Sequence, residues 1–317
     1  MPPNRKRPLE DLGRRFWVNA AVLLLSLLFA SACGVMSKVT QTAKDLSPID
    51  FSGKEKSLKI GMIGFENRVT IPFKEFTSTA EAGMAAGLAE ECSGRLFTFP
   101  GDPAYPAFLR HPPRLVNGQI DNLALARRGR QLGYNAVITG GLIDIDGYRE
   151  ERGFLWFKKN KSFVKLVVKL EVYDTRTAAK FVDRIASREI NVEELESLPT
   201  SGKKDISDPA LINAVNDLVS ELSEQVCEAL EDRPWVGYVT AVDGLQATIS
   251  SGSDQGLSAG ETLQVYDSTD IIEGAAGARF IQIGPKCGKL TITAVTPDHA
   301  EGEIEGHVTP GCSVTAE

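Results

Sequence analysis

Between Val164 and Val172 every second residue is aliphatic: Val164, Leu166, Val168, Leu170 and Val172, with Lys165, Lys169 and Glu171 among those between. Successive side chains of a strand point to opposite faces, so this stretch predicts a β-strand with one face in a core. Segments around 142–146 and 181–191 continue the pattern and predict an antiparallel meander. A sheet with one apolar face needs a layer of helices to cover it.

The flanking segments supply that layer. Leu58, Ile60, Met62 and Ile63 open a buried strand. Ser78 and Glu81 have capping-box spacing, followed by an apolar line at Ala80, Met84, Leu88 and Cys92 and a stop at Gly94. After a short strand at 96–99, Pro100, Pro103, Pro106, Pro112 and Pro113 read as a surface loop. Asp121 is placed to cap a second helix with Leu125, Gly129 and Leu132 on one face, ended by Gly133, and 136–140 is an apolar strand. Strand, helix and strand at this spacing imply a parallel or mixed sheet with a crossover. Asp208 and Pro209 start a long helix whose stripe is Val215, Leu218, Val219, Leu222, Val226 and Leu230. Cys227 sits at the edge of that stripe. Two helices side by side on the sheet bring Cys92 and Cys227 to bridging distance.

Past Arg233 and Pro234 the pattern changes to short strands between glycine turns, beginning with a hairpin at Asp243 and Gly244. About six strands without a helical period indicate a small barrel. Cys287 and Cys312 are expected to bridge and pin the C terminus. The fold class read from the sequence is therefore α+β: a mixed sheet with helices on one face over 57–233, then a small all-β barrel-like domain over 234–317.

The first residues carry a different message. Arg5, Lys6, Arg7, Arg14 and Arg15 precede an apolar run at 16–29, then Ala30, Ser31, Ala32 and Cys33. The run is short for a membrane span of about 20 residues, and basic, apolar and small segments in that order read as a cleaved leader. Ala30, Ser31, Ala32 and Cys33 resemble the lipobox of bacterial lipoproteins, with alanine where leucine is usual. The resemblance implies cleavage of 1–32, acylation of Cys33 with palmitate-type chains, and a membrane-anchored tether over 33–56. Gly34, in place of an aspartate, points to the periplasmic face of the outer membrane rather than the inner membrane.

Removing residues 1–32, which hold five Lys or Arg and two Asp or Glu, moves the formal charge from -7 to -10. Such a chain repels phosphate backbones, so nucleic acid is not an expected partner. Four cysteines remain besides Cys33; without a CxxC they suit two disulfides better than zinc, and three connectivities are open.

"GYNAVITGGLIDID", with a meander ending "LEVYDTRTAAKFVDR", resembles the periplasmic domain shared by the amino-terminal part of TolB, the curli secretion lipoproteins and the middle domain of the flagellar assembly protein T family. "VTAVDGLQATISSGSDQGLSAGETLQVY", "GKLTITAV" and "VTPGCSVTA" resemble the carboxy-terminal domain of that flagellar family, with Gly252, Gly256 and Gly260 at its turns. Together the resemblances cover roughly 57–317. They imply a non-catalytic scaffold or assembly component of an envelope complex, such as the ring at a flagellar base, with envelope proteins and further copies of itself as partners. A binding module that activates or regulates a cell-wall or secretion machine is the alternative. A curli-type pore is not expected, because 147–163 and 192–209 are too short or too polar for membrane hairpins.

Catalytic groups are sparse. His111, His299 and His307 fall in loops or near turns; "GSDQG" at 252–256 has its serine one place early for a nucleophile elbow; Asp144 and Asp146 lack the other ligands of a calcium loop. No catalytic residue, metal or cofactor is expected. One segment suggests an interface: Phe154, Trp156 and Phe157 beside Lys158, Lys159 and Lys161, where aromatics next to cations at a hairpin tip suit a membrane surface or a protein partner.

Overall fold

Every second side chain from Val164 to Val172 is buried in a core shared with helices. The structure is a computed structural model and describes residues 56–69, 73–153, 158–194 and 208–316, all within one compact unit, Lys54–Glu317. Strands β1 (Lys59–Met62), β2 (Glu66–Asn67), β3 (Leu96–Thr98), β4 (Ala136–Arg152), β5 (Lys159–Asp174) and β6 (Lys180–Asn191) form a mixed sheet ordered β3-β1-β4-β5-β6, with β2 on β4. β1 runs parallel to β3 and β4, while β4, β5 and β6 form an antiparallel meander. The helices are α1 (Lys74–Glu91), α2 (Ala107–Arg110), α3 (Asn122–Gln131) and α4 (Pro209–Glu231).

α1 and α4 lie together over one face. Met84 and Leu88 of α1, the expected stripe of α4, and Leu166, Val168, Leu170 and Val172 of β5 are fully buried there. Each such side chain contributes roughly 1.5–3 kcal/mol of transfer free energy. The helices approach closely because Gly87 has no side chain: a Cβ on it would stand 2.2 Å from Ser223 Oγ. Cys92, one turn beyond Leu88, forms a disulfide with Cys227, Cα–Cα 5.3 Å. Asp208 accepts the Ala210 N–H at 3.0 Å and caps α4, with Pro209 in its first turn.

Local expectations shift in four places. α1 begins at Lys74, before Ser78, because Phe73 and Phe76 are buried and anchor an extra turn; the Glu81 carboxylate instead accepts the Phe65 N–H at 3.0 Å. The two segments at 136–140 and 142–146 are one strand, β4, in which a bulge between Leu142 and Asp144 keeps both halves paired with β5. The proline-rich stretch is more than surface loop, since it carries α2 with buried Phe108 and Leu109. Leu132 is 47% exposed, and Arg130 is buried in its stead.

α2 and α3 cover part of the second face, where Tyr105, Phe108, Leu125, Tyr134, Val137 and Tyr173 form a separate core. β7 (Gly237–Asp243), β8 (Gln246–Ile249), β9 (Thr262–Tyr266), β12 (Lys286–Val295), β13 (Ala300–Gly306) and β14 (Ser313–Ala316) close a six-stranded antiparallel barrel in the order β12-β13-β8-β7-β14-β9. β10 (Ile271–Glu273) and β11 (Arg279–Ile281) form a separate hairpin outside it.

Polar groups join sheet to barrel. Arg130 donates from Nε to Thr175 O at 2.8 Å, from Nη1 to Ser268 O at 3.1 Å and Gly311 O at 3.2 Å, and from Nη2 to Arg176 O, and its guanidinium lies 4.8 Å from the Tyr238 ring centroid. Burial lowers its pKa, yet four carbonyl dipoles and the ring face solvate its charge. Asn135 Nδ2 donates to Val236 O at 2.7 Å, and Gln255 Nε2 donates to Gly133 O and Asn135 Oδ1, both at 3.3 Å. At Gly133 φ is +72°, and a Cβ would meet Ser250 O at 1.8 Å, so only glycine fits this turn against the barrel.

Candidate functional site

The second face of the sheet is covered unevenly. Beyond α3 the β10–β11 hairpin stands over it and leaves a cavity of about 930 Å³, in the range of small-molecule sites. Its wall is fixed. Asn122 Nδ2 donates to Ala178 O at 2.9 Å and to Arg279 O, Ile281 N donates to Thr177 O at 2.9 Å, and Arg279 Nη2 reaches Asp121 Oδ2 at 3.0 Å. The groove is therefore preformed. Ala275, Ala278 and Phe280 of the hairpin and Leu115 and Ile120 of the loop before α3 give it an apolar side.

Charge is concentrated at two poles. At one, Glu66 accepts Arg68 Nε at 2.8 Å and Arg114 Nη2, while Arg114 Nη1 donates to Gly118 O at 2.7 Å. At the other, Lys169 and Lys180 reach Glu171 at 2.7 and 2.8 Å, and Lys180 reaches Asp183 at 2.6 Å. Burial alone would raise the Glu171 pKa, but the two ammonium groups overcome it and hold the carboxyl below the usual value. Glu66 pairs with Gly141, and Gly141 with Lys169. The poles are thus two strand spacings apart, about 9–10 Å. The lysine pole is balanced in charge, two cations against two carboxylates. The arginine pole carries an excess cation, and Arg68 Nη1 and Nη2 find no hydrogen-bond partner among the described residues.

The described sequence candidates do not line this groove. Cys33 and the tether up to residue 55, and Phe154, Trp156 and Phe157, lie outside the described residues. Lys158 and Lys159 are exposed at the start of β5, where Lys159 pairs with Arg152 at the loop end of the β4–β5 hairpin. The second cysteine pairing is corrected: Cys287 and Cys312 are thiols. Cys287 lies in β12 and Cys312 precedes β14, with β9 paired between them. Each thiol has its own polar partner instead, Cys287 Sγ donating to Val265 O at 3.6 Å and Cys312 Sγ lying 3.6 Å from Thr309 Oγ1. Burial, then the Cys312 thiol beside it, push the Cys287 thiol up to about 11, so it stays protonated.

Asp144 and Asp146 are exposed and pair with Val167 and Lys165. His111 and His307 are exposed, and His299 Nδ1 lies 2.8 Å from Thr296 Oγ1 and 2.9 Å from Asp298 Oδ1. "GSDQG" is a turn whose Gln255 reaches into the sheet–barrel junction. Among the described residues no three His, Cys, Asp or Glu side chains cluster to hold a metal ion, and no helix is long and apolar enough to cross a membrane. Sequence reading missed the groove because its poles come from four separated segments; only the outward alternation of Lys169 and Glu171 signalled a polar strip.

No protein-family model matches the chain, and no curated protein matches it. Among solved structures, the hypothetical protein CT253 of Chlamydia trachomatis overlaps 56% of this chain and 99% of its own at 12% identity, TM-score 0.34. Lipoprotein GNA1162 of Neisseria meningitidis overlaps 54% of this chain and 99% of its own at 16% identity, TM-score 0.30. A PelC dodecamer from Paraburkholderia phytofirmans overlaps 53% of this chain and 87% of its own at 12% identity, TM-score 0.28. Likeness at this level carries no conclusion about activity or assembly.

Proposed function

We propose that the chain is an exported, lipid-anchored, non-catalytic component of an envelope complex. The observation that carries this reading is the Cys92–Cys227 disulfide. Structural disulfides belong to oxidising compartments, which agrees with a leader ending in Ala30, Ser31, Ala32 and Cys33. Acylated Cys33 would hold the protein at the periplasmic face of the outer membrane and raise its concentration near membrane-bound partners. Partners would be envelope proteins and further copies of the chain rather than nucleic acid. The ring at a flagellar base is the specific form of this proposal, on the family resemblance. In it the loop end of the β4–β5 hairpin, where Lys158 and Lys159 are exposed, would present Phe154, Trp156 and Phe157 to a partner or membrane.

Extraction in mild detergent followed by mass determination tests the scaffold. A ring or defined multimer that retains envelope partners on affinity capture supports it; a monomer that captures none refutes it. The preformed groove favours a second reading, a ligand-responsive module that regulates an envelope machine.

A further inference from the structure

Three regions stand apart from the proposed anchor and interface: the groove, a cleft beside Arg127 and Tyr238 of about 330 Å³, and the two barrel thiols. The cleft borders Arg130, which is already engaged in the sheet–barrel junction, and each thiol already has a polar partner within the barrel. The groove alone combines volume, a fixed wall, an apolar side and uncompensated charge.

We infer that this groove binds a small amphiphilic anion, its carboxylate, phosphate or sulfate head at Arg68 and Arg114 and its flat apolar body along Ile120, Ala278 and Phe280. The head is set by the arginine pole. One carboxylate, Glu66, is shared by two guanidinium groups and orients both, and the face of Arg68 that no described residue engages supplies planar donors that match a carboxylate or phosphate. The body is set by the hairpin. Its wall is anchored through Asn122 and Arg279 before any ligand arrives, so little ordering cost falls on binding. The lysine pole, neutral in sum, ends the groove about 9–10 Å away and offers hydrogen bonds to a polar tail.

This gives the regulatory reading a ligand class, but binding is measured without any partner, so either can fail alone. The test is calorimetric titration of the full chain in dodecyl maltoside with 2-naphthyl phosphate, against 2-naphthol as the same body without the head and with micelle blanks subtracted. The phosphate should bind at least about tenfold more tightly, equivalent to about 1.4 kcal/mol. Arg68→Gln with Arg114→Gln should remove that advantage and leave 2-naphthol unchanged. Ala278→Trp should fill the groove and abolish both at an unchanged melting temperature. Equal affinity for the two probes, or phosphate binding that survives Ala278→Trp in folded protein, overturns the inference. Phosphatidylglycerol added to the micelles locates the natural source: competition absent with phosphatidylcholine assigns a lipid headgroup, no competition assigns a free solute, and both leave the groove as the site.

Discussion

Arg130 holds the barrel to the sheet, and removing its head group is the sharpest test of how the two are joined. The side chain is 7% exposed and serves four backbone carbonyls drawn from both parts, Thr175 and Arg176 before the barrel and Ser268 and Gly311 within it. Arg130→Met keeps much of the volume and deletes every donor. A hydrogen bond to a charged group is worth about 1.5–3 kcal/mol net, and a stranded buried carbonyl costs about 1–3 kcal/mol. These terms do not add fully, because methionine also avoids desolvating a cation, so the expected loss is about 3–5 kcal/mol. For a unit of this size that is a fall of about 10 °C in melting temperature, read by circular dichroism and by urea denaturation. Arg130→Lys keeps a cation but cannot fan out to four acceptors, so it should recover only part of the loss. The ring stack predicts a coupling of about 1–2 kcal/mol in a double-mutant cycle with Tyr238→Leu. A loss for Arg130→Met below about 1 kcal/mol, the level of an ordinary surface change, would refute this account of the junction.

Reduction of Cys92–Cys227 opens a loop of 135 residues and should cost up to about 5 kcal/mol in the chain-entropy model; alkylation before reduction should label Cys287 and Cys312 alone. Gly133→Ala forces a Cβ onto Ser250 O at positive φ, and a drop of about 2 kcal/mol or more in urea stability is expected, against a smaller change at exposed Gly147, where a Cβ would come no nearer than 4.0 Å to Phe163 O. Glu171 is held below the usual carboxylate pKa, so its contribution is present above its unfolded pKa and disappears as pH falls through its lower folded value. The gap in melting temperature between wild type and Glu171→Gln should accordingly be widest near pH 7 and close below about pH 4; a constant gap down to pH 3 contradicts the ion cluster. Trp156→Ser with Phe157→Ser should weaken retention of membranes or captured partners, and unchanged retention removes that segment from the interface.

The sheet–helix half was legible because its signals are periodic. The alternation from Val164 to Val172, the stripe of α4 and the Asp208–Pro209 start each follow from one rhythm, and two helices on one face make the Cys92–Cys227 bridge a geometric consequence. Signals failed where one residue outweighed the rhythm. Phe73 and Phe76 extend α1 past a plausible capping box. Asn122, Ala126 and Arg130 form a second buried row on α3, four residues apart, and its polar ends hid it from an apolar search. The candidate site was least legible. β10 and β11 are three residues each, too short for any period to show, and they make the groove only by crossing to α3.

Export with lipidation is the central claim, and the mass of the mature amino terminus tests it most directly. Intact-mass and peptide mass spectrometry of the membrane-extracted protein should find Cys33 as the first residue, carrying acyl chains, with Cys33→Ser releasing no lipidated peptide. A chain that keeps residues 1–32 and bears an unmodified Cys33 thiol contradicts it.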